Sequence, residues 1–210
     1  MKRQARSETA DTRRPAIAAA VRALIAERGF EGLRMRDIAD RVGINIATLH
    51  YHIPSKEALI QLVAQSLRDD FIAQHRARPR DGLPPLELLR MEFADFREIF
   101  LGEPERFLVM GEMQERARRD PAVASAMSPM RGYWHGQLTD IMTKGRDDGS
   151  LRPDIDPSAA ASIVIGGLIA SLKHPERSLE TLDRVIAELE RAFLNPAASP
   201  PLPTLDPRQD

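Results

Sequence analysis

The sequence predicts an all-α protein, with a small three-helix domain at its N-terminus and a larger helical domain after it. Glycine and proline clusters divide the chain into segments of helix length, and no segment alternates between apolar and polar residues in the manner of a strand. Apolar residues make up 42% of the 210 residues, which is enough for a packed core, whereas aromatic residues, at 5%, are too sparse for a typical β-sandwich.

Composition excludes several classes of function. The chain has no cysteine, which excludes disulfides, thiolate zinc sites and cysteine catalysis. The most continuous apolar run, residues 159–172, is shorter than the roughly 20 residues that a membrane span needs. Arg22, Glu27 and Arg28 interrupt the apolar stretch that follows the arginine-rich start, so this start is not typical of a secretory signal. We therefore expect a cytoplasmic protein.

Charge is unevenly distributed along the chain. Residues 1–60 contain eleven Lys and Arg against seven Asp and Glu, whereas residues 61–210 contain nineteen against twenty-four. A basic first part joined to an acidic second part is typical of a protein that binds nucleic acid at one end, although a chance imbalance would give the same numbers.

The first helix is predicted from Pro15, which suits a first turn because its missing N–H needs no partner there. The helix ends at Gly29, and its apolar stripe is Ile17, Val21, Leu24 and Ile25. The polar residues 1–12 before it predict a disordered arm, which either lies along DNA or is simply a solvated tail.

The pattern from Asp37 to Leu59 predicts two short helices at a tight angle, followed by the start of another helix. Ile38, Ala39 and Val42 share one face of the first short helix, and Gly43 directly after them is a helix stop that tolerates a positive φ. Asn45 suits the N-cap of the next helix because its side-chain oxygen can accept a free backbone N–H.

The second short helix, about residues 46–52, turns Leu49 and Ile53 inward and leaves Ile46, Ala47, His50 and Tyr51 outside. Ser55 then caps the following helix. This order of helix, glycine turn and helix is the helix-turn-helix arrangement, whose second helix enters the DNA major groove.

These residues resemble the DNA-binding domain of the TetR family of bacterial one-component transcriptional regulators. The matching residues are Glu27-Arg28-Gly29-Phe30, Asp37-Ile38-Ala39, Val42-Gly43-Ile44, Asn45, Thr48-Leu49-His50-Tyr51-His52-Ile53 and Ser55-Lys56-Glu57-Ala58-Leu59. The match covers about residues 13–60. Two departures are His50, where most members have Tyr, and Leu33-Arg34, which replace the usual Thr or Ser cap of the second helix.

The predicted DNA contacts follow from the helix-turn-helix spacing. Asn45, Ile46, Ala47 and His50 are expected to face base edges, and Thr48, Tyr51 and Lys56 are expected to contact the phosphate backbone. Ile46 and Ala47 have no hydrogen-bond donor in their side chains, so they can read only apolar features such as thymine methyl groups.

The rest of the chain predicts a second helical domain over residues 61–194. A helix from Ser55 to about Gln74 leads into a turn cluster at 79–85, and further helices are predicted at about 85–101, 104–119, 121–148, 157–173 and 178–194. The proline-rich residues 195–210 predict a disordered tail.

Large flexible and aromatic side chains recur at helical spacing in this second domain. For any single residue, simple core packing is the plainer interpretation, but methionine and aromatic side chains also adapt to ligands between helices. The resemblance implies an effector pocket here. Its predicted residues are Phe93, Phe107, Met110, Gln114, Trp134, His135 and Leu138, with Glu92 and Gln137 as further polar neighbours.

The last two helices, within residues 157–194, predict a surface for helix-on-helix packing. Small residues recur along the first of them, and each mid-helix glycine costs about 1 kcal/mol relative to alanine, which suggests a packing reason. Burial inside one subunit is the alternative, whereas the resemblance implies a homodimer interface. The residues concerned are Ala159, Ala160, Ile163, Gly166, Gly167 and Ala170, then Leu179, Leu182, Ile186, Leu189 and Phe193.

The sequence gives little support for catalysis, a metal or a cofactor. His50 and His52 lie about 200° apart around a helix and cannot share a metal-facing side. We therefore predict a homodimeric DNA-binding regulator, a repressor released from an inverted-repeat operator by a small, largely apolar effector. The alternative is a DNA-organising or protein-partner factor without a small ligand, and a helical hydrolase is the weakest hypothesis.

Overall fold

The computed structural model describes residues 2–173 and 178–196, with the side chains of residues 2–12 and Lys173 excepted. Within these ranges the chain forms helices alone, apart from one isolated antiparallel bridge between Leu151 and Leu194, so the all-α prediction is confirmed. The helices are α1 Lys2–Arg28, α2 Met35–Val42, α3 Ile46–His52, α4 Lys56–Ala77, α5 Pro85–Gly102, α6 Pro104–Ala117, α7 Pro121–Asp147, α8 Pro157–Lys173 and α9 Leu179–Phe193.

The first helix is longer than predicted. It begins at Lys2, so the backbone is helical where the composition predicted an arm without regular structure. Pro15 lies inside this helix and not in its first turn, contrary to the prediction. Residues 2–14 contain no glycine or proline, so no strong local signal stops the helix before Pro15.

The described residues cluster into two compact units. The first comprises the chain up to Pro79 together with Arg97–Trp134, and the second comprises Arg80–Phe96 together with the chain from His135 onward. The three-helix domain predicted for residues 13–60 therefore lies in a unit that also includes α4, α6 and the first half of α7. This grouping arises because α1 packs along α6, a contact between segments far apart in sequence.

The first unit has an apolar core built from the predicted stripes. All four stripe residues of α1 are buried, and so are four apolar residues of α4. These residues are Ile17, Val21, Leu24, Ile25, Leu59, Leu62, Val63 and Leu67.

The second unit has its own core and a buried ionic cluster. Arg80 donates to Glu92 at 2.8 Å and also pairs with Asp95, and all three side chains are largely buried. Glu92, suggested above as a ligand-orienting group, is therefore engaged by Arg80. Asn195 donates its side-chain N–H to the Gly149 carbonyl at 2.9 Å, so the first residue of the predicted tail is held in the fold, while residues 197–210 lie outside the described residues.

Across the described ranges, no helix is both long and apolar enough to cross a membrane.

Candidate nucleic-acid interface and effector region

The helix predicted to read DNA, α3, is fixed to the first unit by its own apolar residues. Leu49 and Ile53 are both 0% exposed. Gly43 has φ of 72°, in the left-handed region that glycine tolerates, and it lets the chain turn sharply between α2 and α3. The Asn45 side chain accepts the Thr48 backbone N–H at 2.7 Å, which caps α3 as predicted.

The outer face of α3 presents the residues predicted to contact DNA. Ile46 is 47% exposed and Tyr51 is 80% exposed, which is unusual for large apolar side chains. Asn45, Ala47 and His50 are also exposed, and Thr48 is half-buried beside its capping bond. The structure thus brings the seven predicted DNA-contact residues, Lys56 included, to α3 and the adjoining start of α4.

The start of α4 is well capped and carries an exposed lysine. The Ser55 hydroxyl accepts the Ala58 backbone N–H at 3.1 Å. Hydrogen bonds from its own backbone N–H and from the Ser55 hydroxyl lower the pKa of Glu57 below its ordinary value. Lys56 is exposed beside these groups. A lysine next to the free N–H groups of a helix start is a suitable place for a DNA phosphate.

Two ion pairs hold α2 against the end of α1, and the sequence did not predict them. Arg41 donates to both carboxylate oxygens of Glu27, at 2.7 and 3.0 Å, and Arg28 donates to Asp37 at 3.0 Å. The Arg41 hydrogen bond lowers the pKa of Glu27, and the same contact raises the pKa of Arg41. Because all four side chains are solvent-accessible, these pairs contribute more to orientation than to stability. By contrast, α2 has no side-chain cap at Arg34, as the sequence indicated.

The residues predicted to bind an effector fall into both compact units. Phe107, Met110, Gln114 and Trp134 belong to the first unit, and Phe93, His135 and Leu138 to the second. Phe107 and Met110 are buried, whereas Trp134 and Gln114 are half-buried.

Two aromatic contacts in the first unit involve these residues, one between α4 and α7 and one between α5 and α6. Phe71 of α4 stacks on Trp134 of α7, with ring centroids 6.3 Å apart and planes 27° apart. Phe100 and Phe107 are also in contact, with centroids 6.5 Å apart. Phe71 is thus a neighbour of the predicted region that the sequence interpretation missed.

In the second unit, His135 is held by two hydroxyl groups. Its Nε2 lies 3.2 Å from Ser162 Oγ, and its Nδ1 lies 3.4 Å from Thr139 Oγ1. The buried side chains of Phe93 and Leu138 belong to the core of this unit. This geometry does not identify a ligand, and the effector assignment stays a prediction.

Residues 17–63 match the family model of the bacterial regulatory proteins of the tetR family. The matched segment contains the whole helix-turn-helix and the capped start of α4. The chain therefore carries a DNA-binding domain of the tetR family over these residues. The predicted family is therefore confirmed, and the protein is a DNA-binding transcriptional regulator.

Curated relatives agree with this assignment. The transcriptional repressor KstR2 of Mycobacterium tuberculosis strain H37Rv is 29% identical over 149 residues, which cover 70% of this chain and 72% of KstR2. The transcriptional regulator UidR of Escherichia coli K12 is 25% identical over 170 residues, covering 80% of this chain and 85% of UidR.

Solved structures share the fold of this chain. The structure of the ketosteroid regulator KstR2 of M. tuberculosis has a TM-score of 0.65 and 23% identity, and it covers 87% of this chain and 95% of KstR2. The structure of AibR in complex with isovaleryl coenzyme A and operator DNA matches this chain with a TM-score of 0.70 and 24% identity. The match covers 88% of this chain and 99% of the AibR chain.

The outer face of α8 is the candidate dimer surface. Ala159, Ile163, Gly166 and Ala170 are spaced by three or four residues and are all exposed, Ile163 by 56%. A Cβ at Gly166 would meet no atom within 4 Å. This small, apolar stripe is suited to close packing against another helix.

Gly167 has a different role from its neighbour. A Cβ at Gly167 would lie 3.2 Å from Leu189 Cδ1 and 3.5 Å from Val185 Cγ1, both on α9. Gly167 therefore lets α8 approach α9 within the subunit. Gly167 and the buried Ala160 are thus explained by packing inside the chain.

Among the described side chains, no group of three or more His, Asp or Glu residues could hold a metal ion. His174 lies outside the described residues.

Proposed function

We propose that this protein is a repressor that binds an inverted-repeat operator as a homodimer and leaves it when a small effector binds. The observation that carries the proposal is the presentation of α3. Its inner residues Leu49 and Ile53 are completely buried, whereas Ile46 and Tyr51 stand exposed on its outer face. An exposed apolar face on a fixed, capped helix indicates a binding surface. A helix of this kind fits into the major groove of DNA.

The individual DNA contacts divide by chemistry. Lys56, Thr48 and Tyr51 bind phosphates and set the register of the protein on the duplex. Asn45 and His50 offer hydrogen-bonding groups to base edges, and the side chains of Ile46 and Ala47 offer apolar contacts to thymine methyl groups.

The two parts of the chain have different roles in this proposal. Residues 13–60 read DNA, and residues 61–194 bind the effector and form the dimer. The effector region comprises Phe107, Met110, Gln114 and Trp134, the predicted residues of the first unit, and its aromatic and methionine side chains suit a largely apolar molecule. KstR2 is named a repressor, and AibR was solved with both an acyl coenzyme A and operator DNA, which supports control of DNA binding by a small molecule.

Dimerisation through α8 and α9 makes the inverted repeat a geometric requirement. A two-fold dimer presents two copies of α3, and they reach successive major grooves on one side of the duplex only if they lie about 34–36 Å apart, or a multiple of it. Because the target is chromosomal DNA, we place the protein in the cytoplasm. It acts by binding and not by turnover.

A selection of DNA fragments by the purified protein tests this function, followed by a screen of small molecules against the recovered site. We expect the recovered fragments to share an inverted repeat, and at least one molecule to release the protein from it. Recovery of fragments without a common sequence would contradict the operator, and would favour the alternative of a DNA-organising factor without a ligand.

A further inference from the structure

Arg106, in the first turn of α6, is a deeply buried charge without a full set of partners. The residue is 2% exposed. Its Nε and Nη2 atoms are shielded from solvent and have no hydrogen-bond partner within the described part of the chain. Its Nη1 reaches only Glu103 Oε1, at 3.4 Å, and that glutamate side chain is 52% exposed. A contact of this length is a weak hydrogen bond.

The two free N–H groups lie on the same edge of the guanidinium. This edge is the fork that binds both oxygens of a carboxylate or phosphate in parallel. The flat face of the group is occupied, because Arg106 Cζ lies 4.3 Å from the centroid of the Phe71 ring. A cation stacked in this way keeps its edge available for an anion in the guanidinium plane.

Asp70, a partly exposed carboxylate whose charge acts on Arg106, is already engaged by another arginine. Asp70 is paired with Arg22, which also donates to the Ser66 hydroxyl at 3.2 Å. Burial lowers the pKa of Arg106, and an arginine remains charged even so. An unpaired buried charge is costly for a fold, so its retention needs a reason.

Arg80 shows what a purely structural arginine looks like in the same chain. Its side chain is 11% exposed, and it is paired with both Glu92 and Asp95, which are themselves 9% and 11% exposed. Arg80 is satisfied within the fold, and Arg106 is not. The difference points to a partner that is absent from the chain itself.

Apolar side chains also lie close to Arg106. Phe107 follows it directly, Met110 lies one helical turn further, and the Phe71 ring beneath it stacks on Trp134. We propose that Arg106 receives the anionic end of the effector, a carboxylate or phosphate, while the neighbouring aromatic and methionine side chains hold an apolar body. This inference rests on the proposed function and changes the expected effector from a largely apolar molecule to an amphipathic anion.

Matched ligands on the free protein test the inference without DNA. Decanoate, decyl phosphate and decanol share one apolar chain and differ in the head group, and calorimetric titration of the purified full chain measures each affinity. We expect at least one of the two anions to bind about tenfold or more tightly than decanol, because a charge-assisted bond is worth about 1.5–3 kcal/mol. The tighter of the two anions identifies the head group.

In Arg106→Met the preference for the anion over decanol should fall to less than about twofold, because a thioether cannot bind it by charge. Equal binding of all three ligands by the native protein would overturn the inference, and so would binding of none of them. An undiminished preference in Arg106→Met would overturn it as well.

Thermal unfolding without ligand separates a binding role from a structural one. Arg106→Met should unfold at the same temperature as the native protein or higher, because it removes a buried charge and loses only a long contact to the exposed Glu103 and the stacking on Phe71. Arg80→Met should unfold at a lower temperature, because it removes the arginine that pairs with two buried carboxylates. If the unfolding temperature of Arg106→Met fell as far as that of Arg80→Met, Arg106 would have a structural role and the inference would be overturned. A native protein that bound no operator would refute the proposed function, while the titrations of the free protein would still decide this inference.

Discussion

The guanidinium of Arg116 lies over the aromatic ring of Phe30, with Cζ 4.4 Å from the ring centroid. Arg116 lies in the last turn of α6, a helix of the first unit. Phe30 lies in the segment between α1 and α2, just before the helix-turn-helix. The same arginine pairs with Glu31, and Glu112 one turn earlier accepts the Phe30 backbone N–H at 3.4 Å. A cleft of about 460 Å³ beside these residues also reaches His50 and Lys56. The end of α6 is thus joined to the segment that supports the reading helix.

A double-mutant cycle should detect the Arg116–Phe30 contact. We expect a coupling of about 0.5–2 kcal/mol between Arg116→Met and Phe30→Leu in the free energy of unfolding, since the Arg116 side chain is only 18% exposed. Urea denaturation of the native protein, both single variants and the double variant measures it. Glu31→Gln is the control. Its side chain is 90% exposed, so its loss should cost less than about 1 kcal/mol. Additive single effects would show that the stacking contributes nothing.

Lys56→Ala should weaken operator binding without changing which sequence is preferred. A lysine on a phosphate contributes one released counterion, so the slope of log affinity against log salt should fall in magnitude by about one. Fluorescence anisotropy at several salt concentrations measures the slope. Lys144→Ala, an exposed lysine of α7, makes the same charge change outside the helix-turn-helix and should leave the slope as it is. A changed sequence preference in Lys56→Ala would contradict a phosphate contact.

Ile163→Arg should convert the dimer into a folded monomer. The Ile163 side chain is 56% exposed in the single chain, so arginine there disturbs no internal packing but places an unpaired charge in the proposed interface. The cost is about 3–5 kcal/mol. Sedimentation gives the oligomeric state, and circular dichroism shows that the helices remain.

Gly167→Arg is the matched contrast to this variant. Because Gly167 faces Leu189 and Val185 of α9, arginine there should reduce the stability of the subunit itself. An Ile163→Arg protein that sedimented as a dimer would place the interface on another surface.

The helix-turn-helix could be predicted because its signals are local. Gly43, Asn45 and Ser55 each act on the next turn of backbone, and the spacing of Leu49 and Ile53 alone indicates that both are buried. The start of α1 was mispredicted for a related reason. Composition suggested a disordered arm, but no glycine or proline before Pro15 interrupts the helix.

The charged contacts could not be predicted because they join distant segments. Arg116 meets Glu31 across 85 positions, and Arg90 donates to Glu190 across 100. Nothing in the neighbourhood of either arginine distinguishes it from a solvated charge. Arg106 carried no sequence signal either, since an arginine at the start of a helix is normally exposed. Only its burial in the folded chain reveals an unusual residue.

Effector and operator should weaken each other by the same factor. A ligand alters operator affinity only if it binds two conformations unequally, and typical coupling of 1–3 kcal/mol corresponds to roughly a 5–150-fold loss. Titrating the operator complex with the effector recovered from the screen measures one side of this linkage, and titrating the protein with effector in the presence of operator measures the other. Unequal factors would mean that the two ligands do not compete through one conformational equilibrium.

Gly111→Leu should abolish the response to that effector while operator binding persists. Gly111 lies one residue after Met110, and a Cβ there meets no atom within 4 Å, so a larger side chain can occupy the open space without displacing the fold. If this space belongs to the effector region, leucine fills it and excludes the ligand. Gly132→Leu is the control, because Gly132 of α7 is also unobstructed but exposed to solvent, so its substitution should leave the response intact. If the effector released Gly111→Leu from the operator as readily as it releases the native protein, the effector site would lie elsewhere. If Gly111→Leu no longer bound the operator at all, the substitution would have damaged the fold.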